Sequence, residues 1–340
     1  MKALLQFKVL AALVFSALIL AGCGENGNPA GRGLYTISFS ANGGNGVEPE
    51  DVLARYGSSI TLPDGSGMTR TGYNFYGWNT ESSGAGTNYG PGAPYTVSGK
   101  VTLYAKWNSI IEIAMVPVQG GTFTMGCTSE QGDDCYSQER PAHSVTVGSF
   151  FMSSYEVTQG LWQEVMGSLP TFPSSVNRGI GGNYPVYNVS WDDIQTFIST
   201  LNSKTGMRYR LPTEAEWEHA ARGGVNSGSY KYSGSSDIGV VAWYLVNSDS
   251  TTHPVGTKQA NELGIFDMNG NVTEWVSDWY GAYSQSAVTN PTGPSTGTGR
   301  VIRGGSWSFA ARGCRITYRN SEPPDSRYTN VGFRLARPAD

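Results

Sequence analysis

The sequence predicts a protein in two parts, a small β-rich segment followed by a larger domain of mixed helices and strands with many turns. Three observations carry this. Residues 35–107 alternate short β-prone runs with glycine turns. Beyond Ser109, capped helical stretches appear among further short strands. Glycine makes up 45 of 340 residues, aromatics are 12% and charged residues only 15%, which suits turns around aromatic clusters better than a helical bundle. The formal charge of -4 carries no basic stripe, so nucleic acid is not an expected partner.

The chain opens with Lys2 and Lys8 around an apolar run, residues 9–20, too short to span a bilayer comfortably, and ends this stretch on Leu20-Ala21-Gly22-Cys23. These residues resemble the lipobox of bacterial lipoproteins. The resemblance implies a signal peptide over 1–22, cleavage before Cys23 and lipidation of that cysteine, with an ordinary secretory signal and an incidental cysteine as the alternative. Gly24 is not the Asp that holds many lipoproteins at the inner membrane, so a lipid anchor at the outer membrane, displayed on the cell surface, is expected. Residues 23–33 read as a polar, flexible tether.

Three cysteines remain. Cys127 and Cys135 lie in a polar, turn-rich segment, and outside the cytoplasm two cysteines this close are expected to form a disulfide. A metal site is the weaker reading, because no His or further Cys stands near in a zinc-like spacing. Cys314 is left without a partner.

Within 34–107 the runs are Tyr35-Thr-Ile-Ser-Phe-Ser40, the turn Ala41-Asn-Gly-Gly44, the centre Tyr73-Asn-Phe-Tyr-Gly-Trp78 and the close Val101-Thr-Leu-Tyr-Ala-Lys-Trp107. Together they resemble the internalin-type B, or Listeria-Bacteroides, repeat. That resemblance implies a small β-rich spacer or adhesive module without catalytic residues, and a single copy fits a stalk. Gly43, Gly44 and Gly46 are expected to form a hairpin turn rather than a phosphate cradle, since no helix start follows them.

In the larger domain, 108–340, the spacing predicts a helix over 158–166 with Thr158 as cap and Gly167 as stop. Ser190 caps a longer one in which Trp191, Ile194, Phe197, Ile198 and Leu201 share a face. Thr213 and Glu216 form a capping box at the head of a third. His219 in that helix has no nearby nucleophile and is expected to be structural. His143 and His253 are dispersed, and no Ser, His and Asp grouping supports hydrolysis.

Five separated motifs then converge on one family: the stretch beginning Leu211-Pro-Thr-Glu-Ala-Glu-Trp-Glu218, Asn261-Glu-Leu-Gly-Ile-Phe-Asp-Met, Asn269-Gly-Asn-Val-Thr-Glu-Trp275, Arg303-Gly-Gly-Ser-Trp307 and Gly332-Phe-Arg-Leu335. The segment from about Met115 onward resembles the formylglycine-generating enzyme, or sulfatase-modifying factor, family. The resemblance implies an α+β domain, a C-type-lectin-like variant with little regular secondary structure. It does not by itself imply the family's oxidase activity. That chemistry uses two cysteines five positions apart to hold copper(I). The second falls on Cys314 and the first on Phe309, so copper is not expected, no catalytic residue is assigned, and Cys314 reads as a vestige packed as a small apolar group. A calcium motif maps onto Asp267, Gly270, Val272 and Glu274; the alternative is that Asp267 and Glu274 only brace a tight loop.

Residues 308–330 offer Phe309, Arg312, Arg315, Ile316, Tyr318, Arg319, Asp325, Arg327 and Tyr328 among small side chains, an assortment suited to gripping a protein through aromatic and Arg anchors. The segment resembles the variable proteins of diversity-generating retroelements, in which adenine-directed mutagenesis of Asn codons rewrites a C-terminal patch. The alphabet agrees: Lys, Met, Gln and Trp are absent from 308–330, and Glu322 is the one disallowed type. The expected ligand-binding residues are Trp307, Ser308, Phe309, Ala311, Arg312, Gly313, Ile316, Thr317, Tyr318, Asn320, Ser321, Asp325, Ser326, Tyr328 and Thr329. The favoured function is therefore a surface lipoprotein that binds an unidentified protein ligand with no required cofactor. A formylglycine-generating oxidase or a relative with other chemistry is the rival, and a purely structural or adhesive protein is a third reading.

Overall fold

The computed structural model describes residues 33–172 and 178–339; the signal peptide, Cys23 and the tether up to residue 32 lie outside the described residues. Contacts divide the chain into two compact units between Trp107 and Asn108.

In the first unit, the strand Leu34–Ser40 sits between Val52–Arg55, which is antiparallel to it, and Val101–Ser109, which runs parallel. Tyr73–Asn79 and Asn88–Tyr89 complete a five-stranded sheet. Alternating Ile37 and Phe39 point into a core with Leu103 and Trp78, whose indole N–H donates to Pro63 O at 2.8 Å. The expected turn at 41–44 is present: Gly44 N–H donates to Ala41 O. It is not a simple hairpin, because the chain first detours through Asn45–Gly46, paired with Met68–Thr69, before returning as Val52–Arg55. Trp107 closes over this turn, donating to Ala41 O at 2.7 Å, and a Cβ at Gly44 would stand 2.4 Å from its ring. That close approach explains the glycine.

The second unit holds three helices at the predicted places: α1, Gln159–Met166; α2, Trp191–Thr205; and α3, Glu214–Ala221. Thr158, Ser190 and Thr213 cap them through their hydroxyls, and left-handed Gly167 and Gly206 end the first two. α1 and α2 pack through a stacked Trp162–Phe197 pair, centroids 5.0 Å apart, onto Trp275 and Phe333. These last two belong to a four-stranded sheet in the order Arg319–Glu322, Arg300–Arg303, Thr273–Trp279, Val331–Phe333. The same unit holds two three-stranded sheets, one of Met115–Val118, Phe150–Ser153 and Ala336–Pro338, the other of Gly121–Met125, His143–Val147 and Val288–Thr289. The fold is α+β with few helices and many short strands.

α3 is unusual in being buried nearly all round, Glu214 and Glu218 included. Buried carboxylates require partners. Arg303 reaches both, at 3.1 Å from Glu214 and 2.6 Å from Glu218; Arg319 grips Glu214 with two bonds of 2.7 Å; and Arg222 reaches Glu218 at 2.9 Å. Burial alone would raise the Glu214 carboxyl, but Arg319 and Arg303 outweigh it and hold it below its ordinary range. Two motifs far apart in sequence, around Glu214–Glu218 and at Arg303, thus meet in one buried ion-pair network.

Candidate functional site: the face formed by residues 307–330

The segment begins where Arg300–Arg303 ends. Gly304 and Gly305 take φ of 90° and 67°, and a Cβ on Gly305 would lie 2.4 Å from Gly313 O and 2.8 Å from Cys314 Sγ. Only glycine allows the chain to turn so tightly against the short helical turn Ala311–Cys314. Trp307 then folds inward: its backbone N–H donates to Asn271 O, its indole N–H reaches Thr329 O at 3.4 Å, and the Arg178 guanidinium lies 4.7 Å from its ring.

The structure sorts the expected binding residues into two groups. Ser308, Phe309, Ala311, Arg312, Tyr318, Asn320, Ser321, Asp325, Ser326, Tyr328 and Thr329 are exposed or half-buried. Trp307, Gly313, Ile316 and Thr317 are buried, which corrects their assignment as ligand contacts. Ile316 packs with Trp217 and Val301, and Thr317 donates its hydroxyl proton to Glu139. Arg315 and Arg319, attractive as surface anchors in the sequence, are also fully inward, held by Glu139 and Glu214.

On the outer side, the Phe309 and Tyr318 rings meet edge to face at 5.9 Å, and Tyr136 packs against Tyr318 at 5.7 Å. The Arg312 guanidinium covers Tyr136 at 3.8 Å and its Nε–H donates to Asp134 O. Two further residues belong here that sequence reasoning did not find: Leu245, whose N–H donates to Phe309 O, is 54% exposed, and Val246 beside it is 77% exposed. Ser248 fastens this turn to Trp307 O. Large apolar side chains held open beside an aromatic cluster are a feature of interaction surfaces. Tyr136 carried one available signal, its place next to the disulfide cysteine; Leu245 and Val246 carried none, because their neighbour lies over 60 positions away.

The disulfide between Cys127 and Cys135 is present. Cys314 is a buried free thiol pushed up to about 12 by burial, its Sγ 3.9 Å from Ser306 O. With one buried thiol and a phenyl ring at 309, these residues do not fit copper(I). At the calcium motif, both Glu274 oxygens accept from Arg334, at 2.6 and 2.7 Å, and one also accepts from the Trp217 indole at 2.6 Å. Asp267 accepts from Gly256 N–H at 2.6 Å through Oδ2, and its buried Oδ1 has no partner. Glu156 completes the loop, taking the Val272 N–H and the Asn271 amide. Burial raises the carboxyls of both, Asp267 to about 6 and Glu156 well above its ordinary value. A cation here would have to displace Arg334 from Glu274, and among the described residues no three His, Cys, Asp or Glu side chains form a metal cage. His219 is structural: its Nε2 lies 3.0 Å from Gln119 O, and burial lowers its pKa.

Residues 105–339 match the sulfatase-modifying factor enzyme 1-like domain. The chain belongs to this family. Residues 35–106 match the Listeria-Bacteroides repeat domain. Among solved structures, the chain is similar to Treponema denticola variable protein 1, with 30% identity and a TM-score of 0.59 over 72% of this chain and 98% of that one. It is also similar to PvdO from Pseudomonas aeruginosa, at 29% identity and a TM-score of 0.56, covering 66% and 94% of the two chains. Among sequences, a chaperone protein LppX of Paenibacillus barcinonensis is 29% identical over 71% of this chain and 95% of its own. The formylglycine-generating enzyme of Streptomyces coelicolor is 36% identical over 53% of this chain and 61% of its own. Among the described residues, no helix is long and apolar enough to cross a membrane.

Proposed function

We propose that this sulfatase-modifying-factor-like domain is a ligand-binding module of a surface lipoprotein, anchored through Cys23, with the 308–329 face and the Leu245–Val246 turn as its binding surface. The observation that carries the reading is the division of one short segment into two roles. Arg315, Thr317 and Arg319 are locked inward by buried acids, while Phe309, Arg312, Tyr318 and Tyr328 between and beyond them stand outward. Such a frame lets outward side chains change while the backbone keeps its ordering, so each new sequence avoids a fresh entropic cost of binding. Similarity to a Treponema variable protein along nearly its whole length supports the same reading. The ligand is proposed to be a protein, gripped by the aromatic and Arg side chains.

The test is to sequence the 308–330 coding region across isolates of one strain. Adenine-site variation is expected at outward positions such as 308, 309, 312, 318 and 328, with Arg315, Thr317 and Arg319 constant. Variation spread evenly over inward and outward positions, or none at all, would overturn the proposal. A sulfatase peptide bearing cysteine tests the oxidase rival: aldehyde formation that depends on Cys314 would establish it instead.

A further inference from the structure

Away from that face, a cavity of about 310 Å³ opens between the head of α3, the strand His143–Val147 and the loop that follows Trp279. Its walls are mainly apolar, with Met125, Ala215, Val288, Pro291 and Pro294 around the Trp279 and Tyr283 rings. Two polar groups converge on it with unused acceptor capacity. Asp278, 3% exposed, receives the Glu214 N–H and the Ser277 hydroxyl on Oδ2, while Oδ1 accepts no hydrogen bond among the described residues. His143, 7% exposed, holds Nδ1 3.2 Å from Pro141 O, which puts the proton on Nδ1 and leaves Nε2 as an acceptor. Its ring is kept in place against Tyr283, centroids 4.8 Å apart.

The charges around the cavity favour one sign of ligand. Glu214 and Asp278 line it beside the Arg319 guanidinium, whose Nε and Nη2 donate to Glu214 and whose Nη1 donates to Gly281 O and Gln138 O. Burial and the neighbouring Glu214 push the Asp278 carboxyl up to about 7. The Arg300 guanidinium, near enough to feel the Asp278 charge, donates to Ser277 O at 2.6 Å and covers the Trp279 ring, so it leaves Asp278 Oδ1 open to a ligand. An anion would meet the Asp278 and Glu214 carboxylates beside an Arg319 guanidinium whose donors are already taken. A neutral hydrocarbon would strand both polar groups.

We propose that this cavity binds an organic ammonium ion on a short apolar stem, with Asp278 Oδ1 and His143 Nε2 accepting its N–H protons and the Trp279–Pro294 wall enclosing the stem. The size suits a ligand of roughly eight to ten heavy atoms, for which a dissociation constant on the order of millimolar is expected.

The experiment titrates the full-length protein with benzylamine, benzyl alcohol and benzoate, followed by calorimetry or by NMR shifts. Benzylamine is expected to saturate one site, with the alcohol at least about tenfold weaker and benzoate not binding. Asp278→Asn keeps an acceptor for the Glu214 amide but turns a donor toward the cavity, and should weaken benzylamine by about tenfold or more. His143→Phe preserves the tilted ring contact with Tyr283 and should weaken benzylamine severalfold, which provides an independent reading if the first variant folds poorly. N-acetyl-lysine amide, carrying the same ammonium on a peptide, distinguishes a partner's side chain from a free amine by whether it binds more tightly than benzylamine. Equal affinity for amine and alcohol, absence of saturation, or benzylamine binding unchanged in both variants would overturn the assignment.

Discussion

Arg315 and Glu139, 176 positions apart in the chain, meet through two parallel hydrogen bonds of 2.6 and 2.8 Å with neither side chain exposed. Gln131 and Thr317 add bonds to the same cluster, so the disulfide-bearing segment and the binding face share one buried anchor. Removing one partner of such a pair leaves an uncompensated buried charge. Arg315→Ala is therefore expected to cost about 3–5 kcal/mol in denaturant unfolding. Arg312→Ala, three residues away and exposed, should change stability by about 0.5 kcal/mol or less while altering ligand affinity. Equal stability losses in the two variants would contradict this division of roles.

Stability should respond to pH through the raised carboxyls. Asp267 at about 6 and Asp278 at about 7 hold a proton more tightly in the folded chain than at their ordinary 3.8, as burial dictates. Their contribution is fully present below 3.8 and is lost as pH rises through those values. Glu139 and Glu214, lowered by their Arg partners despite burial, act oppositely, losing their contribution only as pH falls below the ordinary 4.5. Thermal stability should therefore decline between about pH 5 and pH 8. In Asp278→Asn the upper part of that decline should flatten, and an unchanged slope would count against the Asp278 assignment.

The disulfide closes a loop of separation 8. Replacing Cys127 and Cys135 with serine is expected to cost roughly 2–3 kcal/mol. Because Tyr136 follows directly and packs on Tyr318, the double variant should also weaken ligand capture, measured beside Arg312→Ala for comparison.

Cys314 should resist thiol reagents in the folded protein at neutral pH and react fully in denaturant, with peptide mapping to locate the adduct. Its burial and its thiol near 12 both withhold the reactive thiolate. Native-state labelling at this position would refute the packed, inert role.

Calcium should leave the melting temperature unchanged, since Arg334 already neutralises Glu274. Glu274→Gln, by contrast, leaves Arg334 buried without its partner and is expected to cost about 3–5 kcal/mol. A calcium-dependent rise in the wild-type melting temperature would show that the ion displaces the guanidinium.

The helices, their caps, the disulfide and the burial of Cys314 were all legible because each depends on residues close in sequence or on a single substitution. Thr158, Ser190 and Thr213 are cap residues with the right followers. The inward or outward aim of 307–330 was not legible. That segment is mostly turn and short strand, without a sustained period, and Arg315 and Arg319 turn inward because Glu139 and Glu214 await them from distant parts of the chain. The cavity at Asp278 was hidden for the same reason: His143, Glu214 and Asp278 come from three separate elements. The family motifs gave Glu214, Glu218 and Arg303 of the network but neither Arg319 nor the pairing.

Trp307 and Asn330 close the two ends of the face onto each other. The indole reaches Thr329 O, and the Asn330 amide donates back to the hydroxyls of Ser306 and Ser308. The intervening chain is consequently a ring of set circumference, clasped at its base. Natural versions of it should exchange their outward letters while keeping the same number of residues, since one added or removed would spring the clasp.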